Sequence, residues 1–322
     1  MNYYLAPMEG ITGYIYRNAH HNIFGRMDKY FSPFITPNQK KKFSSKEIND
    51  ILPEHNQNIP LVPQILTNNA EDFIWAALEF KNLGYEEVNL NLGCPSGTVV
   101  AKKKGSGFLA FPEKLDLFLD QVFASLDMRI SIKTRIGKTD PDEFYELIEI
   151  YNKYPLAELI IHPRIQMDYY KNTPNLEVFK DALKLGKCPI CYNGDLFCPD
   201  KVEEFSQCCP QVETVMLGRG VIANPGIISQ IKENLPPDKE KLRAFHDEIY
   251  HGYQKIMQGE RNPLFRMKEL WFYMGTTFSN PDKYLKKIKK SERFCDYEAA
   301  VSSLFREQVL LPEAGYSVRS GS

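Results

Sequence analysis

The chain has 322 residues, 43% hydrophobic and 25% charged, with a formal net charge of −1. That is ordinary globular composition, long enough for one large core or two smaller ones. Near-neutrality excludes binding to a polyanion through overall charge, so any nucleic-acid contact must come from local patches. The seven cysteines (Cys94, Cys188, Cys191, Cys198, Cys208, Cys209 and Cys295) are an odd set. With no basic-then-apolar leader at the start, they point to a reducing compartment. No run approaches the ~20 apolar residues of a membrane helix, so a soluble, cytoplasmic protein is expected.

In chain order, β-rich runs fall at 3–8, 29–35, 60–66, 86–92, 129–135, 156–162, 189–194 and 212–218. Amphipathic stretches such as "NAEDFIWAALEFKNLG" and "DPDEFYELIEIYNKY" lie between them, with Asn or Asp as caps and Gly84 as a stop. Eight strands alternating with helices predict an α/β fold, a (β/α)8 TIM barrel over residues 1–235. A doubly wound open sheet is the competing architecture. At "NLPPDKEKL" (234–242) the rhythm breaks, and four helical patterns follow with no β signal. They predict a second, all-helical domain over 236–314 and a disordered tail over 315–322. No internal repeat is visible.

A barrel of this kind carries its site at the C-terminal ends of its strands. The polar groups there are Met8 and Glu9, Gln64, Asn91 with Cys94, Lys133 and Arg135, His162 and Arg164, Asn193 with Asp195, and Gly218 with Arg219. "YNGD" (192–195) and "LGRGVIANPG" (217–226) are glycine turns after the last two strands. Barrels commonly hold a phosphate at that place, and Arg219 adds a fixed positive charge; the alternative is two ordinary tight turns. Lys133 and Arg135 share one face of their strand because side chains alternate with period two. Two buried cations call for an anion, and the anionic edge of a reduced flavin is one candidate; a solvent-exposed strand exit is the alternative. Arg164 beside His162 again suggests an anion. No zinc-spaced or paired-carboxylate set is evident, and the CxxC at Cys188 and Cys191 spans a strand that would turn its thiols apart, so no metal is expected.

The ordered set "LAPMEG", "PQIL", "NLNLGCPS", "SIKTRIG", "IIHPR", "YNGD" and "MLGRG" resembles the dihydrouridine synthases, flavin enzymes that reduce uridine in tRNA. The resemblance runs from residue 5 to about residue 226. It continues more loosely into "RMKELWFYM" (266–274), placed like that family's helical RNA-binding domain. The spacing from Cys94 through Gly105 to Pro112 fits the family's catalytic loop.

This resemblance implies an FMN cofactor, NADPH as electron donor and tRNA as partner, with no membrane and no stable protein partner; a monomer is expected. Pro7, Met8 and Glu9 would lie against the flavin ring, and Gln64 and Lys133 would bond its polar edge. His162, the turn Asn193, Gly194 and Asp195, Gly218 and Arg219 would hold its phosphate. Asn91 would help place the uracil, with Arg135 also on the substrate side. Cys94 would be the acid: hydride adds at C6 of the uracil from the flavin face, so the proton reaches C5 from a donor on the opposite face, on a mobile loop. An ordinary thiol, with a pKa of ~8.5, keeps its proton at neutral pH.

The target base must be turned out of folded RNA, which needs phosphate contacts in compensation. Lys102, Lys103 and Lys104, and the six cations of "KYLKKIKKSER" (283–293), are candidates, although a solvated charged helix is the plainer reading of the latter. Two departures from the family stand out. His162, Pro163, Arg164, Ile165 replaces His-Gly-Arg-Thr, and "KKKGSG" is unusually basic. Rivals are a flavin barrel dehydrogenase acting on a small molecule such as dihydroorotate, a non-catalytic RNA binder, and the same reduction on ribosomal RNA.

Overall fold

The computed structural model describes residues 1–25, 27–38 and 40–317. Nine strands form one parallel sheet: β1 (Asn2–Leu5), β2 (Lys29–Phe31), β3 (Leu61–Val62), β4 (Gln64–Ile65), β5 (Glu87–Leu92), β6 (Arg129–Gly137), β7 (Glu158–Ile165), β8 (Ile190–Tyr192) and β9 (Thr214–Leu217). Their order is β3-β2-β1-β9-β8-β7-β6-β5-β4. Both ends of that order belong to the single run expected at 60–66. Pro63, which has no N–H to donate to a ladder, divides it. Tyr30 and Phe31 pair with Leu61 and Val62 on one side of the proline, and Asn89 and Leu90 pair with Gln64 and Ile65 on the other. The sheet is therefore closed into a barrel of eight staves, and an open doubly wound sheet, which has two edges, is excluded.

Alternation sorts the strand residues. Tyr4, Ala6, Phe31, Val62, Ile160, Cys191 and Met216 form one buried cluster inside the barrel. On the outer face of β6, the Thr134 hydroxyl lies 3.1 Å from the Tyr151 hydroxyl of helix Glu143–Tyr151. Helix Ala70–Asn82 starts where Asn69 accepts the Asp72 N–H at 2.8 Å, as its sequence predicts. Helix Glu143–Tyr151 is organised differently: Asp142 makes no side-chain cap, and the Glu143 carboxylate instead accepts the N–H groups of Lys138, Thr139 and Asp140.

The chain divides into two compact units, one of residues 1–7, 29–194 and 211–216, the other of 8–28, 195–210 and 217 onward. The four helices expected over 236–314 lie in the second unit, as Lys239–Ile256, Arg261–Met274, Asp282–Lys290 and Phe294–Glu307. Their core is built on Trp271, whose indole N–H donates to the Tyr297 hydroxyl at 2.8 Å, with His246 Nε2 2.6 Å from the same oxygen. At the place expected to open the tail, the Gly315 carbonyl accepts the Thr276 hydroxyl at 2.9 Å and Tyr316 packs on Phe197 and Tyr273; residues 318–322 of that tail lie outside the described residues. Among the described residues no helix is long and apolar enough to cross a membrane.

One charged cluster sits where β5 and β7 begin. Lys29 bonds Glu87 at 2.9 Å and reaches Glu158 at 3.7 Å, and the Tyr4 hydroxyl donates to Glu158 at 3.2 Å. Burial, with the Glu87 charge adding to it and Lys29 opposing, pushes the Glu158 carboxyl up to about 7. The native state thus holds this proton more tightly than the unfolded chain, so folding stability falls as pH rises from the ordinary carboxyl range to about 7 and is level above it. The span corresponds to on the order of 3 kcal/mol. Glu158→Gln keeps the neutral shape and should flatten that slope. Urea midpoints at pH 5 and pH 8 check it, and an equal slope in both proteins would exclude Glu158 as its source.

Candidate active site

The same alternation that fills the barrel brings Asn89 and Asn91 of β5, Ser131, Lys133 and Arg135 of β6 and His162 and Arg164 of β7 to its inner face, with Asn193 following β8. The amides form a relay with a fixed direction. Asn91 Oδ1 accepts the backbone N–H groups of Gly93 (3.1 Å) and Cys94 (3.0 Å), so its Nδ2 must donate, and it does, to Gln64 Oε1 at 2.7 Å. Gln64 Nε2 then donates to Asn89 Oδ1 at 2.7 Å, and Asn89 Nδ2 to the Ser131 hydroxyl at 2.9 Å. Gln64 and Asn89 are fully buried, where each unmet amide hydrogen bond is costly.

Cys94 is held from both sides through its backbone. Its carbonyl accepts the N–H (3.1 Å) and the hydroxyl (2.8 Å) of Ser106. The chain returns beneath it at Gly105, at φ +55; a Cβ there would stand 2.8 Å from the Cys94 carbonyl oxygen. The residue as a whole is half-buried. Between these anchors run the short helix Gly97–Val100 and the lysines: Lys102 and Lys103 are exposed, and their carbonyls accept Asn68 Nδ2, while Lys104 is half-buried.

Lys133 keeps partial exposure. Burial and the neighbouring Arg135 cation push its ammonium down to about 8. Such a site is relieved by an anion. Arg135 is placed differently from the substrate-side position expected of it. It is buried, with Nε donating to the Gly93 carbonyl (3.0 Å), Nη1 to Ile165 (2.8 Å) and Nη2 to Tyr169 (2.7 Å). One guanidinium thus ties the loop carrying Cys94 to the loop after β7.

His162 is neutral. Arg164 can only donate, so its 3.3 Å contact to His162 Nε2 makes that nitrogen the acceptor, and Nδ1–H donates to the Asn193 carbonyl. Burial, then the Arg135 and Lys133 charges, hold the ring well below its ordinary pKa. Of the pair at the end of β7, it is therefore Arg164 that carries the charge. Asn193 in turn donates from Nδ2 to the Met216 carbonyl at 2.8 Å, joining the end of β8 to β9.

Of the remaining expected residues, Met8, Glu9, Asp195, Gly218 and Arg219 are in the second unit and Pro7 and Gly194 in the first. The Met8 carbonyl accepts the N–H groups of Ile11 and Thr12, Met8 N–H donates to the Thr12 hydroxyl at 2.8 Å, and Glu9 is exposed. Pro7, the last residue of the first unit before this turn, is half-buried. Gly194 follows Asn193. The Asp195 carboxylate pairs with Arg219 at 2.8 Å, so it orients that guanidinium rather than facing an anion itself. Gly218 opens the short helix Arg219–Ala223. Among the described residues no cluster of His, Cys, Asp and Glu could hold a metal ion; Cys191 is buried and Cys188 half-buried.

A family model described as dihydrouridine synthase (Dus) matches residues 4–311. The chain belongs to that family. It is 27% identical over 280 residues, 83% of each chain, to a Bacillus subtilis protein named "Probable tRNA-dihydrouridine synthase 2". It is 26% identical over 262 residues, 78% of each chain, to a Staphylococcus epidermidis "Probable tRNA-dihydrouridine synthase". Among solved structures it is similar to the old yellow enzyme homologue of Zymomonas mobilis (TM-score 0.52, 11% identity, 76% of this chain and 92% of the other). Morphinone reductase is similar too (TM-score 0.51, 13% identity, 76% and 90%). At such identities the last two show the fold alone.

For this member of the dihydrouridine synthases, an oxidoreductase family, sequence reasoning missed several residues of the site. Asn89 and Ser131 were legible as inward positions of β5 and β6 through their spacing to Asn91 and Lys133. Phe197 and Tyr316 flank Arg219 but carry no local signal, since one follows β8 and the other is 119 residues further on in the chain.

Proposed function

We propose that this chain reduces the C5–C6 double bond of specific uridines in tRNA to 5,6-dihydrouridine, with FMN as cofactor and NAD(P)H as electron donor. The observation that carries the proposal is the Asn91 carboxamide, whose oxygen fixes the backbone of Cys94 while its nitrogen joins the buried amide relay. The donor set suits a flavin: the half-buried Lys133 ammonium, beside the buried amide relay through Gln64, matches a planar ring with a carbonyl edge that becomes anionic on reduction. Pro7, Met8 and Glu9 would border the ring, and His162, Asn193, Gly194, Gly218 and Arg219 would hold the phosphate, with Asp195 fixing Arg219. Bound flavin would supply the hydride.

The chain's own part is placement and protonation. Asn91 and Ser106 hold residue 94 in place, and the Cys94 thiol passes its proton to C5 of the uracil as negative charge develops there. Lys133, a cation at neutral pH, would stabilise the anionic edge of the reduced flavin. RNA would be drawn in by Lys102, Lys103 and Lys104 and by helix Asp282–Lys290, where five lysines are exposed while Tyr284 and Ile288 are buried. The four-helix segment is thus read as the RNA-binding domain.

The test is mass-spectrometric mapping of dihydrouridine in unmodified tRNA after incubation with the purified protein and NADPH. The expected result is modification at defined positions. NADPH oxidation by yellow protein with no dihydrouridine in tRNA would overturn it, and parallel reactions with ribosomal RNA and dihydroorotate identify which rival replaces it.

A further inference from the structure

Arg219 lies in an aromatic corner. Its guanidinium carbon is 4.7 Å from the centroid of the Phe197 ring and 5.4 Å from that of Tyr316, and the two rings meet edge to face, 5.1 Å apart at 70°. Asp195 accepts from its Nη2 at 2.8 Å. Phe197 comes from the loop after β8, two residues beyond Asp195, whereas Tyr316 comes from the C-terminal segment.

That segment is fastened residue by residue. The Ala314 carbonyl accepts Asn224 Nδ2 at 2.8 Å, the Gly315 carbonyl accepts the Thr276 hydroxyl at 2.9 Å, and the Tyr316 N–H donates to the Phe197 carbonyl at 3.2 Å. Ala314 is buried. Gly315 passes so close to the loop that a Cβ would stand 2.3 Å from the Phe197 carbonyl oxygen and 2.9 Å from the Cys198 Cβ. Only glycine allows the segment to lie there.

We propose that residues 314–316 form a strap that positions Arg219, so that Tyr316 sets how strongly the protein prefers a phosphorylated flavin to one without phosphate. The inference rests on the reading above, in which Arg219 meets the FMN phosphate. Its physical basis is preorganisation. A free arginine side chain loses rotamer freedom when its fork is fixed on a phosphate, and that loss comes out of the affinity. The Tyr316 and Phe197 rings cover weakly hydrated guanidinium surface, and the Asp195 carboxylate sets its rotation, so the ordering precedes the ligand. Tyr316 is a positioning residue, acting through Arg219.

The experiment titrates full-length protein, freed of flavin, with FMN and with riboflavin, reading the quenching of flavin fluorescence. Wild type is expected to bind FMN more tightly, and Arg219→Ala to lose that preference. Tyr316→Ala should weaken FMN about tenfold, the scale of one partly desolvated cation–π contact, and leave riboflavin unchanged. Tyr316→Phe, which keeps the ring, should restore the wild-type ratio. Gly315→Ala, which pushes the strap off Phe197, should reproduce the Tyr316→Ala ratio without altering the ring. Discrimination lost in Arg219→Ala but unchanged in Tyr316→Ala would overturn the strap alone, and so would an equal weakening of both flavins by Tyr316→Ala. A wild type that binds both flavins equally would overturn the phosphate reading itself, and the strap with it.

Discussion

Cys94→Ala is expected to lower uridine reduction by at least about 100-fold, the loss typical of removing a general acid, while flavin binding and flavin reduction by NADPH stay near wild type. The backbone contacts that hold residue 94, from Asn91 and Ser106, involve only its N–H and its carbonyl, and alanine keeps both. The substitution therefore deletes the proposed proton donor and leaves the loop. Cys94→Ser should not rescue it, because a hydroxyl is a much weaker acid than a thiol. Single-turnover assays separate the two halves of the reaction: pre-reduced protein mixed with tRNA reports the uridine step, and oxidised protein mixed with NADPH reports the flavin step. Dihydrouridine formed at the wild-type rate would remove Cys94 from the mechanism, and loss of the flavin would reassign it to cofactor binding.

The second large effect belongs to Arg135. Arg135→Gln withdraws its fork from the part-buried carbonyls of Gly93, Ile165 and Tyr169. A buried acceptor left unmet costs about 1–3 kcal/mol, and these part-buried carbonyls, which water can reach, sit at the low end. A total of about 3 kcal/mol is therefore expected, a loss large enough to show directly in thermal denaturation. Tyr169 makes the case sharper. Its backbone is held at φ +51, ψ −97, a conformation that a tyrosine adopts only when its surroundings impose it, and the Arg135 contact to its carbonyl is part of that constraint. Arg135→Lys keeps the charge without the fork. It should fold, bind flavin and fall in the uridine step more than in the flavin step, because the freed loop is the one carrying Cys94. A fall of equal size in both steps would show that Arg135 acts on the cofactor instead.

The barrel was legible because its strands are short β-rich runs between capped helices, and the asparagine before Ala70 does what its sequence position predicts. The split at Pro63 could be seen as a proline within a strand, but not that its two halves would close the sheet, because that depends on partners at residues 30 and 89. At the site, residue types were readable and directions were not. Arg135 sits on the face predicted for it, yet whether a guanidinium meets a ligand or three carbonyls is decided by segments 30 to 42 residues away in the chain. Asp195 was grouped with phosphate-holding residues by its place in a glycine turn, and the structure gives its charge to Arg219. Tyr316 lay in a stretch whose composition reads as a tail, since the contacts that order it are all long-range.

The closure at Pro63 also bears on how the protein breathes. β5 and β6 are zipped from Glu87–Arg129 to Leu92–Thr134, whereas the stave at 61–65 holds each neighbour through a two-residue ladder. Two-residue ladders also join β1 to β2 and β8 to β9, so the barrel has several short seams, and their amide hydrogens are expected to exchange sooner than those of β5 and β6. Gln64 is part of the seam at 61–65. When the seam parts, the relay through Asn91 loses its middle member, and the cysteine loses its alignment before the fold as a whole is lost. At the stave that carries Gln64, closure of the cylinder and alignment of residue 94 therefore depend on the same short ladders.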